Sequence, residues 1–163
     1  PQEEPELREG EACQLTLGNG PRSHGRATQD DGLWVWGRPL QLVDSITEAV
    51  GTCPGAIVVS GSHGGLSAAR FALEARPFLV VFNDAGIGKD GAGIAALAWL
   101  VPHGIAAVAV AHHSARIGEA LSTWTDGVIS SVNAVAAGLG ARAGMGLREW
   151  LQPDLSDNPV SGS

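Results

Sequence analysis

Three uninterrupted apolar runs constrain this chain more than any other feature: Ala56-Ile57-Val58-Val59, Phe78-Leu79-Val80-Val81-Phe82 and Ile105–Ala111. None alternates with polar residues, so each reads as a strand covered on both faces. A fourth run, Leu40–Val43, comes earlier, ends in Asp44-Ser45 and leads into a short helix over Ile46–Val50. Helices fit between the runs. Leu66–Ala75 is one, and Ala92–Leu100 is another, with Ile94, Leu97 and Val101 at helical spacing. Val128, Val132, Val135 and Leu139 predict a further amphipathic helix that Asp126 starts and Gly140 stops. Strand–helix units of this length imply parallel pairing and right-handed crossovers. The expected fold is a single small three-layer α/β domain with a mainly parallel sheet.

A length of 163 residues fits one such domain. The domain is expected over 44–152, after a flexible acidic lead at 1–10 and a peripheral arm or hairpin at 11–43. Residues 153–163 read as a polar tail. A hydrophobic fraction of 44% against 17% charged residues supplies a core and excludes intrinsic disorder. The net charge of −7 and singly scattered arginines exclude nucleic acid as a partner, which needs clustered basic residues. No apolar run is long enough to span a membrane, and Pro1–Gly10 lacks the basic-then-apolar layout of a signal peptide. A cytoplasmic location follows as the expectation. Cys13 and Cys53 show no CxxC or Cys/His spacing, so neither a disulfide framework nor a zinc site is indicated. Trp99 on a helix apolar nearly all round, among five tryptophans, suits an oligomer interface as well as a core, and a homo-oligomer is expected.

In open α/β sheets ligands bind beyond the carboxyl ends of the strands. Every run here ends in chemistry-bearing side chains. Taken in chain order, Asp44 and Ser45 follow the first, and Ser60, Ser62 and His63 the second. Asn83 and Asp84 follow the third, with the loop Gly86-Ile87-Gly88-Lys89-Asp90-Gly91 holding the chain's single lysine. His112, His113, Ser114 and Arg116 follow the fourth. A small-molecule site on this rim is the expected partner surface.

Ser60-Gly61-Ser62-His63-Gly64 between a strand and a helix resembles the nucleophile elbow of the α/β-hydrolase fold, with a serine in place of its first glycine. The resemblance covers residues 56–86. It implies Ser62 as nucleophile, the His63 N–H at the oxyanion, and Asp84 orienting His112 or His113 as base. The substrate would then be a small polar or anionic ester, amide or similar acyl compound. Asp44, Ser45, Ser60, Asn83, Gly86, Gly88 and Ser114 would line its site, with Lys89 and Arg116 holding negative charge. Ser62-His63-Gly64 is also similar to the His-Gly of caspase-like peptidases, but the slot for their cysteine holds Asp84-Ala85-Gly86.

Two other readings stand beside the hydrolase. Gly86–Gly91 is a G-x-G-x-x-G between strand and helix, which fits an NADP-type nucleotide-binding module and suits the Rossmann-like or flavodoxin-like fold expected of the whole domain. The other is a non-catalytic assembly subunit. The hydrolase reading calls for no cofactor. Asp44, Asp84, His63 and His112 suit a divalent ion by type, but no HxxxH spacing occurs and no metal is expected.

Overall fold

The computed structural model describes residues 34–49 and 54–152. Both cysteines, the lead at 1–10, the tail at 153–163 and the 11–33 part of the expected arm lie outside the described residues.

Six strands form one sheet in the order β1 (Trp34–Val35), β2 (Arg38–Val43), β3 (Ile57–His63), β4 (Leu79–Asn83), β5 (Ala106–Val110), β6 (Ile129–Val132). β2 through β5 are parallel, and the edge strands β1 and β6 run antiparallel to their neighbours. The α-helices are α1 (Leu66–Ala75), α2 (Ala95–Leu100), α3 (Ala120–Asp126), α4 (Ala134–Gly138) and α5 (Leu147–Leu151). The chain is a small α/β domain with a mostly parallel sheet.

Side chains alternate across the sheet and feed two cores. One joins Val58, Val80, Phe82, Ala107 and Ala109 to α1, α2 and the 3₁₀ turn Ile46–Ala49. On this side α1 buries only alanines (Ala68, Ala69, Ala72, Ala75), which lets its backbone lie close to the sheet. The other core joins Ile57, Val59, Leu79, Val81, Val108 and Val110 to α3, α4 and α5, with Trp124 and Trp150 filling the larger gap. All three crossovers between β2 and β5 lie on the first side. Successive right-handed crossovers require this when parallel neighbours follow one another in chain order. After β5 the chain changes side, because α3 packs on the second core.

The structure alters several expectations. Residues 34–43 form a hairpin inside the sheet: β1 turns into β2 through Trp36 (φ 57°) and Gly37 (φ 74°), a two-residue turn with both positions left-handed. β2 is an interior strand, buried from Pro39 to Val43. Residues 89–94 form a 3₁₀ turn, so the helix expected over Ala92–Leu100 begins at Ala95.

The helix expected from Asp126 to Leu139 is a strand followed by one short helix. Gly127 turns the chain out of α3 in an extended conformation, and a Cβ there would meet Val110 Cγ1 at 2.8 Å. β-Branched Ile129 and Val132 then pair with β5 in the register Val110↔Ile129 and Val108↔Val132. Spacing of i, i+4, i+7 was compatible with both outcomes. The open edge of β5 decides between them, since its backbone groups need partners.

Asn133 makes the change from strand to helix. Its Oδ1 accepts from Ala107 N (3.1 Å) and Ala136 N (2.9 Å), and its Nδ2 donates to Leu97 O (2.9 Å) and Ile105 O (3.0 Å). One buried amide therefore caps α4 and ties α2 and β5 to it. Asn133→Ala strands four buried backbone groups and is expected to cost on the order of 3 kcal/mol or more. Differential scanning calorimetry should show Tm lower by roughly 10 °C.

Candidate functional site

The loop after β4 runs to the first core and the loop after β5 runs to the second, so they diverge at the carboxyl end of this strand pair. Divergence of adjacent loops opens a crevice. A cleft of about 520 Å³ lies there, lined by Asn83 and Ala85 from the β4 end, His112–Ile117 after β5, and Ser122 and Asp126 from α3.

Asp84 lies beneath the cleft, at the end of β4, and is 4% exposed. Its Oδ1 accepts from the backbone N–H of Gly86 (2.8 Å) and His112 (3.0 Å), and its Oδ2 accepts from Ser130 Oγ (2.6 Å). His112 Nδ1 stands 3.4 Å from Oδ1, and the His112 side chain is 55% exposed. Burial pushes the Asp84 carboxyl up, but the Ser130 hydroxyl, the two N–H groups and the His112 ring more than offset it. The carboxyl ends below the ordinary aspartate value, a stable anion under an exposed imidazole. The His113 ring packs 5.3 Å from that of His112.

Asn83 is wholly buried, donates from Nδ2 to Ala115 O (3.1 Å) and accepts from Ala85 N (2.8 Å). It pins the β5 loop against the end of β4. Ser114 Oγ donates to Ala111 O (2.7 Å) and accepts from Val128 N (2.9 Å), so its hydroxyl is committed to the turn. Arg116 is exposed, with Nη1 3.8 Å from Glu119 Oε2.

Other rim residues have been drawn into structure. The second apolar run continues as strand through His63, so Ser60, Ser62 and His63 are in β3 rather than in a loop after it. Between the pairs Val59↔Val81 and His63↔Asn83 the strand carries extra residues that bulge. Ser60 is fully buried and donates to Val81 O (2.7 Å), filling the interrupted ladder. Gly61 is required under the β5 loop, where a Cβ would meet Gly118 C at 2.6 Å and Asp44 O at 2.8 Å. Ser62 Oγ accepts from Ile46 N (2.9 Å) and so starts the 3₁₀ turn after β2. β4 lies between β3 and β5 in the sheet. Among the described residues no hydrogen bond joins Ser62 to a histidine, and its backbone is not in the left-handed region.

Asp44 Oδ1 accepts from Ala120 N (2.9 Å), and Ser45 Oγ bonds Thr47 Oγ1 (2.9 Å). The His63 ring lies over Gly65, outside the cleft lining. Gly86 runs beside His112, whose Cε1 would be 3.7 Å from a Cβ at that glycine. Gly88 and the exposed Lys89 do not line the cleft. Among the described residues no three of His, Cys, Asp and Glu gather as a metal-holding group, and no helix is long and apolar enough to cross a membrane.

Ser122, Ser130 and Asp126 escaped the sequence reading. Ser122 Oγ accepts from Arg116 N (3.0 Å) and shapes the cleft wall. Ser130 falls in the helix expected to start at Asp126, which the structure replaces with β6 at 129–132, while Asp126 itself ends α3. Recognising Ile129-Ser130-Ser131-Val132 as a strand against β5 would have brought Ser130 to Asp84.

Comparison with known protein families, curated proteins and solved structures finds no match for this chain.

Because the folded carboxyl of Asp84 holds its proton less tightly than an unfolded one, the unfolded chain binds more protons in acid, and stability falls with pH there. The contribution of Asp84 is complete above the ordinary aspartate value and is lost as pH falls through its depressed folded value. Urea unfolding of the wild type and Asp84→Asn should show a stability gap at pH 7 that narrows by about pH 3. A gap constant with pH would mean that the ionised form is not the one stabilised.

Proposed function

We propose that the cleft is the site of a hydrolase for small polar or anionic acyl compounds, with His112 as general base. The observation that carries the reading is the buried, ionised Asp84 beside Nδ1 of an exposed histidine on the cleft wall. A carboxylate at Nδ1 favours the tautomer with its proton there, leaves Nε2 free to accept, and stabilises the imidazolium formed on accepting. Nε2 takes a proton from water as the water oxygen bonds to the acyl carbon. The imidazolium then returns that proton to the leaving alcohol or amine as the acyl bond breaks.

Water is the nucleophile favoured here, because Ser62 is occupied by Ile46 N and stands a strand away. The serine-nucleophile form implied by the elbow resemblance is the alternative that the test separates. The nucleotide-binding reading has less support. The N–H groups of Gly86, Ile87, Gly88, Gly91 and Gly93 already bond within the 83–93 stretch, and Gly86 N bonds the Asp84 carboxylate itself. A kinship with Rossmann-like or flavodoxin-like folds rests on the parallel strands and two helical sides, although β2–β5 follow chain order without reversal. A homo-oligomer, as we also infer, has its support in exposed Leu66, Phe71, Ile117 and Leu121.

The test is saturable hydrolysis of a panel of p-nitrophenyl esters and N-acetyl amino-acid amides by the purified chain. His112→Gln should lower kcat by about 100-fold or more, and Ser62→Ala should leave it within a few fold. Fluorophosphonate labelling of Ser62 with loss of turnover in Ser62→Ala would restore the serine mechanism. Equal rates for wild type and His112→Gln, or no saturable turnover across the panel, would overturn the reading.

A further inference from the structure

The backbone amides of the β5 loop are used in alternation. His112 N bonds Asp84 Oδ1, Ser114 N bonds Ala111 O, Arg116 N bonds Ser122 Oγ and Gly118 N bonds Gly61 O. Among the described residues the intervening N–H groups of His113, Ala115 and Ile117 have no acceptor. All three residues line the cleft. Exposure to water accounts for the first and last of them, but Ala115 is 5% exposed. A buried N–H without a protein partner is rare in native structures, because its desolvation goes uncompensated unless a water or ligand accepts from it.

Positive charge stands on the same wall. Among the described residues the Arg116 guanidinium is held by one long, exposed contact, to Glu119, so most of its donors remain available. His112 and His113 add ring nitrogens beside it. The opposite character comes from Asp126 at the end of α3, which also lines the cleft, and from the net charge of −7. Both repel a second anionic group on a ligand.

We propose that residues 113–117 cradle one oxyanion of the ligand, a carboxylate or a phosphate, on the free N–H groups and the Arg116 side chain. The inference rests on the cleft being the ligand site, as the proposed function has it, and fixes the substrate class as a small acid with a single charged group. It does not depend on hydrolysis.

The experiment is a ¹⁵N–¹H titration of the full chain with three probes: sodium acetate, inorganic phosphate and ATP. Acetate or phosphate should give saturable shifts centred on His113, Ala115 and Ile117, and the tighter of the two identifies the source of the oxyanion. Arg116→Gln should weaken that binding about tenfold, while Lys89→Gln leaves it unchanged. ATP should bind no more tightly than phosphate. Shifts that fail to saturate, that spread without a centre on these amides, or that saturate as tightly in Arg116→Gln as in the wild type would overturn the cradle. Tighter binding of ATP would overturn the single-charge limit. Saturable anion binding without turnover would leave the cradle standing and reject the hydrolase, and turnover without anion binding would do the reverse.

Discussion

The carboxylate of Asp84 holds the carboxyl end of this sheet together. Four groups converge on it: N–H of Gly86, N–H of His112, the Ser130 hydroxyl and the His112 ring. They come from the loop after β4, the turn after β5 and the antiparallel strand β6. A buried anion is tolerated only when its lone pairs are met, so the cost of burying Asp84 enforces the meeting of all three. Removing any one donor weakens the case for keeping the charge, and removing the charge frees the loops. The exposed imidazole is a consequence, since His112 is seated by its own N–H before its ring is considered.

The cleft has a topological cause that lies deeper than any one side chain. Parallel strands laid down in chain order put every crossover on one side, and such a sheet leaves its second face bare. The chain covers that face by changing side once, after β5, with α3, α4 and α5 carrying Trp124 and Trp150 onto it. The single change of side sits between β4 and β5, and that is where the loops part and the cleft opens. Gly61 and Asp44 then brace the outgoing loop, the first by lacking a Cβ under Gly118 and the second by capping Ala120.

Much of this was legible before any coordinates. Strands read as unbroken apolar runs because both faces are covered, and their carboxyl ends placed Asn83, Asp84, His112, His113 and Arg116 at one end of the sheet, where they gather at one cleft. Two things were not legible. Val128, Val132, Val135 and Leu139 fit a helix by period, and only the unpaired edge of β5 makes Ile129–Val132 a strand, which periodicity cannot register. Ser60 and Ser62 looked like rim residues because a serine after an apolar run usually ends a strand. Here the strand bulges and continues, so the Ser60 hydroxyl donates to Val81 O and the Ser62 oxygen accepts from Ile46 N.

The glycine-rich loop shows how one sequence pattern can meet two different physical needs. A G-x-G-x-x-G that binds pyrophosphate uses its glycines to expose N–H groups at the start of a helix. In this chain Gly86, Gly88 and Gly91 all adopt positive φ, and so do Ala85, Ile87 and Asp90, which bear side chains. The loop is wound so tightly that Gly93 sits against the Asp84 and Ile87 carbonyls, where any Cβ would collide. Its amides turn inward, to Asp84 and to the loop itself. The glycines therefore serve to wrap the backbone around the buried Asp84 carboxylate, and the loop's own amides are spent on it and on the loop, whereas N–H groups of the β5 loop remain unclaimed. The lone Lys89 belongs to this wrapped loop, exposed and outside the cleft lining.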